Sequence, residues 1–204
     1  DMESLIKIGD IYRRQESYPE AIKAYNHAFK TIGKDNIFPS YWHLHYVRGM
    51  ALERDGQWSK AEDDLKKALE FNPNHAYVLN YLGYAWADQG KHLDQAKNMI
   101  EKALQLEPED GYITDSLGWI LYRTGEFKEA VKYLEKAVEL LPYDAVINDH
   151  LGDAYWKVGR KLEARFQWER AKNHVENDEK LLTQIENKLE HGLQKNDNML
   201  MHAK

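Results

Sequence analysis

The fold is decided by residues 111–142, which read GYITDSLGWILYRTGEFKEAVKYLEKAVELLP. Apolar and small residues recur there at helical spacing on both sides of a turn at Gly125. Before the turn they are Thr114, Leu117, Gly118 and Leu121, and after it they are Ala130, Leu134 and Ala137. The small residues lie where two helices would cross closely, and Pro142 ends the unit. The stretch therefore predicts a hairpin of two helices.

The same pattern recurs along the chain. Its first-helix glycine is found at Gly9, Gly49, Gly83, Gly118 and Gly152, which gives intervals of 40, 34, 35 and 34 residues by subtraction. We expect hairpins over about 2–39, 40–73, 74–108, 109–142 and 143–177, with the six extra residues of the first interval near residues 31–39. A helix over about 178–195 continues the register with a polar outer face, as a capping helix does. The pattern thus predicts one domain over residues 1–195 and a frayed tail over 196–204.

The five units resemble the tetratricopeptide repeat (TPR), whose pattern places Leu-Gly and an aromatic residue in the first helix and two alanines and a proline in and after the second. The resemblance covers about residues 2 to 195. It implies an all-α, right-handed superhelical solenoid of five hairpins with a C-terminal capping helix. Arg48 stands where the repeat usually has leucine, so the second unit departs from the pattern.

Composition limits the classes of partner. The chain has 28 Lys plus Arg against 34 Asp plus Glu and no basic block, so we expect no nucleic acid partner. It has no cysteine, which rules out disulfides and thiolate chemistry. No run of about 18 apolar residues predicts a membrane span. We expect a soluble fragment, with any leader or lipid anchor lying upstream.

No catalytic or phosphate-binding motif is present, so we expect no enzyme activity and no cofactor. The nine histidines are mostly scattered, and we expect no metal site. One cluster leaves two interpretations open: Asp149, His150 and Asp153 could bind a cation or could form a polar wall for a peptide.

The TPR resemblance implies that positions two, five, nine, twelve and thirteen of each first helix line a concave surface. Aromatic residues are frequent there, and aromatic residues often anchor protein interfaces. We expect Tyr84, Trp119 and Trp156 to lie side by side facing solvent, although the rings could instead pack one repeat against the next. With the adjacent sixth position, the predicted groove comprises Tyr77, Asn80, Tyr81, Tyr84, Tyr112, Asp115, Trp119, Tyr122, Arg123, Asp149, His150, Asp153, Trp156 and Lys157.

The charges of this groove predict its ligand. The lysine and asparagine clamp with which chaperone-binding TPR domains hold a terminal carboxylate is absent at positions five and nine. Asp115, Asp149 and Asp153 would repel such a carboxylate. We therefore expect a protein or extended peptide segment that is apolar and carries basic residues.

Repeats four and five are similar to those of bacterial envelope-associated TPR proteins, some of which are lipoproteins that tether periplasmic processing proteases. The resemblance implies a non-catalytic scaffold or adaptor, in the periplasm or at the outer membrane. A cytoplasmic scaffold would have the same sequence features. The alternative function is a regulatory TPR domain of a larger enzyme whose catalytic part lies outside these residues.

Overall fold

The computed structural model describes residues 1–33 and 38–194. These residues form α-helices and one short 3-10 helix, Pro39–Tyr41, with no β-strand in the described ranges. The α-helices are α1 (Met2–Arg14), α2 (Tyr18–Ile32), α3 (Trp42–Arg54), α4 (Trp58–Phe71), α5 (Ala76–Asp88), α6 (Leu93–Leu106), α7 (Gly111–Arg123), α8 (Phe127–Leu140), α9 (Ala145–Lys157), α10 (Lys161–His174) and α11 (Glu179–His191). Each predicted hairpin holds two of them, and α11 lies where the capping helix is predicted. The predicted tail over 196–204 lies outside the described residues.

The chain divides into two compact units, Asp1–Leu82 and Gly83–Lys204, and the boundary falls within α5. The sequence pattern alone places residues 1–195 in one domain, and that single domain stays a prediction. The two units are described separately below.

The first unit is built from the hairpins α1/α2 and α3/α4, and α3 also packs on α2. Its core includes Tyr25, Leu44 and Leu65, which are almost fully buried. Arg48, the departure from the repeat pattern, donates from Nε to Asp64 Oδ2 at 2.6 Å and from Nη1 to Asn26 Oδ1 at 2.8 Å. The guanidinium therefore links α3 to both neighbouring second helices, where leucine would only pack.

The second unit contains the end of α5 and the helices α6 to α11. It has the hairpins α7/α8 and α9/α10, and α9 packs on α8 to join them. In the same way α7 packs on α6, and α11 packs on α10. In the last hairpin Gly152 of α9 lies directly against the Trp168 indole, which is fully buried. A side chain at this position would separate the two helices, which is why the repeat has glycine here.

Aspartate residues fix where the first helices of this unit begin. Asp110 Oδ1 accepts from the Ile113 amide and Asp144 Oδ1 from the Ile147 amide, both at 3.0 Å. These carboxylates satisfy backbone donors that the first turn of a helix leaves free. They also set the register of α7 and α9, and so determine which side chains stand at position two, Tyr112 and Val146.

Candidate protein-binding surface

The predicted groove residues of α7 and α9 at positions five, six and nine are largely buried in the second unit. Asp115, Trp119, Asp149, His150 and Asp153 are all buried. Two features of the structure cover them: a cross-helix stack between α7 and α9, and a lysine from α11.

The stack joins the first helices of repeats four and five. The His150 imidazole lies parallel to the Trp119 indole with ring centroids 4.1 Å apart, and Tyr122 stacks on the same indole at 5.0 Å. His150 Nδ1 is 3.0 Å from Asp115 Oδ1. The contact between His150 and Asp115 fixes the imidazole over the indole. Polar as well as aromatic contacts therefore hold α7 and α9 together.

The lysine is Lys188 of α11. Its Nζ donates to Asp149 Oδ2 at 2.7 Å and to Asp153 Oδ2 at 2.9 Å. Trp168 Nε1 donates to the other oxygen of Asp153 at 3.0 Å. The two carboxylates of repeat five are therefore neutralised from within the chain, and the ammonium occupies the position that a basic ligand residue would take.

Burial and neighbouring charges shift the pKa values of this cluster. Burial, together with the charge of Asp149, raises the pKa of Asp153 to about 6, although Lys188 opposes the shift. Burial alone would lower the pKa of His150, but the charge and hydrogen bond of Asp115 leave it above its usual value. The pKa of Lys188 is also raised, because the two aspartates outweigh its burial. Asp153, His150 and Lys188 therefore keep their protons to a higher pH in the folded chain than in the unfolded chain.

These shifts predict a pH dependence of stability. Asp153 and His150 both have folded pKa values above their unfolded values, so their contributions to the free energy of unfolding are lost as pH rises through the folded values. We expect stability in urea to increase from pH 8 to pH 5. Asp153→Asn should weaken this dependence, because the residue can no longer take up a proton. A pH dependence that Asp153→Asn leaves unchanged would contradict the assignment.

The expectation that the Trp119 ring faces solvent is wrong, since the residue is only 2% exposed. Trp156 is partly buried, with its ring 5.3 Å from that of Trp168 and the ammonium of Lys161 4.9 Å from its centroid. A side chain at Gly192, directly after α11, would overlap the Trp156 indole. Both tryptophans therefore serve the packing of α7, α9 and α11, which is the second of the two interpretations that the sequence left open.

The other predicted residues of this unit also contact neighbouring groups. Arg123 Nη1 donates to the Asp88 carbonyl at 2.7 Å, and the Lys157 ammonium lies 5.9 Å from the Phe127 ring centroid. Tyr122 is buried and Tyr84 is partly buried. Burial and the charge of Asp115 raise the pKa of Tyr84. In the first unit, Tyr77 is exposed, Asn80 is partly buried and Tyr81 donates to Glu53 Oε2 at 2.9 Å.

An exposed surface lies at the start of α7 and α9, and we call Tyr112, Tyr143, Asp144 and Val146 the Tyr112 patch. Tyr112 is 59% exposed, and the carboxylate of Asp144 contributes to raising the pKa of its hydroxyl. Tyr143 and Val146 are also exposed. Tyr143 was missed by sequence reasoning because it lies in the connection between hairpins, outside the helical positions from which the groove was inferred.

The cluster of Asp149, His150 and Asp153 does not form a metal site in the structure. In residues 1–33 and 38–194, no group of three or more His, Cys, Asp or Glu side chains is placed to hold a metal ion. The ammonium of Lys188 lies between the two aspartates instead. Over the same described ranges, every helix is too short or too polar to span a membrane.

Comparison with known proteins identifies the repeat. Tetratricopeptide repeat models match residues 3–34, 42–75 and 115–144. The chain contains tetratricopeptide repeats. Its sequence is 37% identical over 96 residues to the TPR repeat-containing protein PA4667 of Pseudomonas aeruginosa. That match covers 47% of this chain and 16% of the relative, so this TPR protein spans a small part of the relative's length.

Solved structures show the same fold. The thermophilic TPR protein TTC0263 of Thermus thermophilus matches 93% of this chain and 99% of its own at 18% identity, with a TM-score of 0.73. PilF of Pseudomonas aeruginosa matches 98% of this chain and 88% of its own at 19% identity, with a TM-score of 0.71. The predicted all-α TPR solenoid is therefore confirmed. The fourteen groove residues, as ligand-binding residues, stay a prediction.

Proposed function

We propose that this TPR protein is a non-catalytic scaffold that holds a segment of a partner protein at the Tyr112 patch. TPR proteins are protein-interaction modules, and the repeat models match three of the five hairpins. The observation that carries the proposal is the exposure of Tyr112 and Val146 at matching positions of adjacent first helices. Exposed aromatic and aliphatic side chains grouped in this way favour a protein interface.

The charges beside the patch favour a basic, apolar segment. The pKa of Tyr112 is raised by partial burial and by the negative charges of Asp144 and Asp110. The field around the tyrosine hydroxyl is therefore negative. A segment that places an apolar side chain on Tyr112 and Val146 and a lysine or arginine beside Asp144 would complement both features.

The buried part of the predicted groove supports this choice of surface. A ligand could reach Asp149 and Asp153 only by replacing Lys188, and could reach the Trp119 face only by removing His150. Each replacement would break contacts that the chain already makes. Binding at the Tyr112 patch requires neither the replacement of Lys188 nor the removal of His150.

The proposed class of partner is a protease of the bacterial periplasm, held by the scaffold near other envelope proteins. The support is the similarity of repeats four and five to envelope-associated TPR proteins, and the match to a Pseudomonas TPR protein adds only that a bacterial protein has a similar sequence. The alternative proposal is a regulatory domain of a larger enzyme. Sequencing the complete reading frame separates the two, because only the alternative requires a catalytic domain in the same polypeptide.

The patch can be tested with peptides selected from a random display library on the intact chain. We expect the selected peptides to combine apolar residues with Lys or Arg. Tyr112→Ser and Asp144→Asn should each weaken binding about tenfold or more, since each removes one anchoring contact near the centre of the interface. Calorimetric titration measures the affinities.

Leu162→Ser is the matched control, because Leu162 is an exposed apolar residue of the same unit on α10. Its affinity should equal that of the unchanged chain. Peptides rich in Asp and Glu, or equal binding by Tyr112→Ser, would contradict the proposal.

A further inference from the structure

Aromatic side chains form a continuous array in the first unit. The centroid of the His75 ring is 4.2 Å from that of Trp42, 6.2 Å from that of Tyr46 and 5.9 Å from that of Tyr77. Tyr46 continues the array to Tyr81, at 6.1 Å between centroids. We call these five residues the His75 array. Tyr77 is 47% exposed and the other four are partly buried, so the array reaches the surface of the unit.

The repeat does not require rings at the two central positions of the array. Trp42 is the first residue of α3, and the matching first residues of α7 and α9 are Gly111 and Ala145. His75 directly precedes α5, at the position where aspartates cap α7 and α9. Glycine, alanine and aspartate are sufficient for a hairpin at these positions. The His75 array is therefore additional to the packing that the hairpins share.

The charges next to the array have both signs. Burial raises the pKa of Tyr46, and the charge of Arg13 opposes the rise. Burial and Glu53 raise the pKa of Tyr81, and Arg54 opposes that rise. Glu53 Oε2 also accepts from the Tyr81 hydroxyl at 2.9 Å. A cationic ligand would meet two guanidinium groups and an anionic ligand would meet a carboxylate, so the array favours an uncharged ligand.

The angles between the rings distinguish among uncharged ligands. The planes of neighbouring rings meet at 38°, 48°, 54° and 83° along the array. The rings therefore form ridges, whereas a sugar ring stacks best on one flat aromatic face. Proline-rich segments in the polyproline II conformation dock into surfaces lined by aromatic ridges of this kind. Such a segment turns once in about 9 Å, and the contacts from Trp42 through His75 to Tyr46 span at most a similar length.

We propose that the His75 array binds a proline-rich segment of a partner protein in the polyproline II conformation. The proline rings lie between the aromatic ridges. Polyproline II has no internal hydrogen bonds, so its carbonyl groups need donors, which Trp42, Tyr46 and Tyr77 carry as N–H and O–H groups. This inference does not rest on the proposed function, because the array lies in the first unit and the Tyr112 patch lies in the second.

The proposal is tested with an uncharged probe, an acetylated and amidated oligoproline of about three turns, titrated into the intact chain in a calorimeter. We expect saturable binding of one probe per chain. Tyr77→Ser and Trp42→Leu should each weaken this binding about tenfold or more, since each removes a ring from the contact. Bound probe should also slow hydrogen exchange in residues 42–46 and 75–81.

Phe166→Ser is the matched control, because Phe166 is an exposed aromatic residue of the second unit. Its affinity for the oligoproline should equal that of the unchanged chain, and a blocked Gly-Ser peptide of the same length should not bind. Circular dichroism checks that each variant stays helical. Tyr77→Ser decides the test if Trp42→Leu loses helix, because the Tyr77 side chain is exposed.

A chain that shows no saturable binding of the oligoproline would overturn the proposal, and so would equal binding by Tyr77→Ser. A glucose oligomer or a charged peptide that binds the array while the oligoproline does not would overturn it as well, because the array would then hold another class of ligand.

Discussion

Replacing Lys188 with Met should lower the free energy of unfolding by about 3 kcal/mol at pH 8. The substitution keeps most of the apolar length of the side chain but leaves two buried carboxylates, Asp149 and Asp153, without their shared cation. Removing one partner of a buried ion pair is costly because the remaining charge stays desolvated. Urea unfolding followed by circular dichroism measures the loss.

The matched control is Lys172→Met. Lys172 also joins α10 to α11, through Glu186 at 2.9 Å, but both side chains are well exposed. An exposed pair contributes little, so this variant should lose far less stability than Lys188→Met. The loss in Lys188→Met should also shrink towards pH 5, where Asp153 takes up a proton. Equal losses for the two variants would show that Lys188 acts as an ordinary surface residue.

Gly152→Ala should destabilise the last hairpin by about 3 kcal/mol, through overpacking of the core. A Cβ at this position would overlap the Trp168 indole and lie 3.1 Å from the Ala164 carbonyl oxygen. Trp168 is fully buried and donates to Asp153, so the ring cannot move aside without breaking that hydrogen bond. Thermal and urea unfolding both report the loss.

Whether Gly152→Ala lowers or raises stability shows whether α9 and α10 approach closely. Helix propensity alone favours Ala over Gly within a helix by about 1 kcal/mol, so without a close approach of α9 and α10 the variant would be more stable. Gly159→Ala provides the comparison, because Gly159 lies in the turn after α9 with φ +88° and nothing within 4 Å of an added Cβ. It should cost about 1 kcal/mol from backbone strain alone. A stabilised Gly152→Ala variant would contradict the packing described for this hairpin.

The hairpins could be predicted from the sequence because their signals are local. The spacing of Gly118, Ala130 and Leu134 records which faces of two adjacent helices meet, and all three lie within one repeat. Helix periodicity, a turn glycine and small residues at a crossing point are sufficient to specify such a unit.

The burial of the inner surface could not be predicted in the same way. Lys188 lies 39 residues after Asp149 and in a helix that departs from the repeat pattern, so no motif connects them. The stack of His150 on Trp119 joins residues of two repeats, and the sequence alone leaves open whether the ring faces solvent or a neighbouring repeat. Arg48 likewise departs from the repeat pattern, and the pattern alone does not show that Asp64 and Asn26 lie beside it.

The most direct test of the account is hydrogen exchange of the intact chain with and without a selected peptide. In the proposed complex the peptide lies on the Tyr112 patch while α11 stays in position. We therefore expect slower exchange in residues 111–116 and 143–149 and unchanged exchange in α11. Slower exchange in residues 117–123 and 153–157, accompanied by faster exchange in residues 179–191, would show that the ligand displaces α11 and would contradict the account.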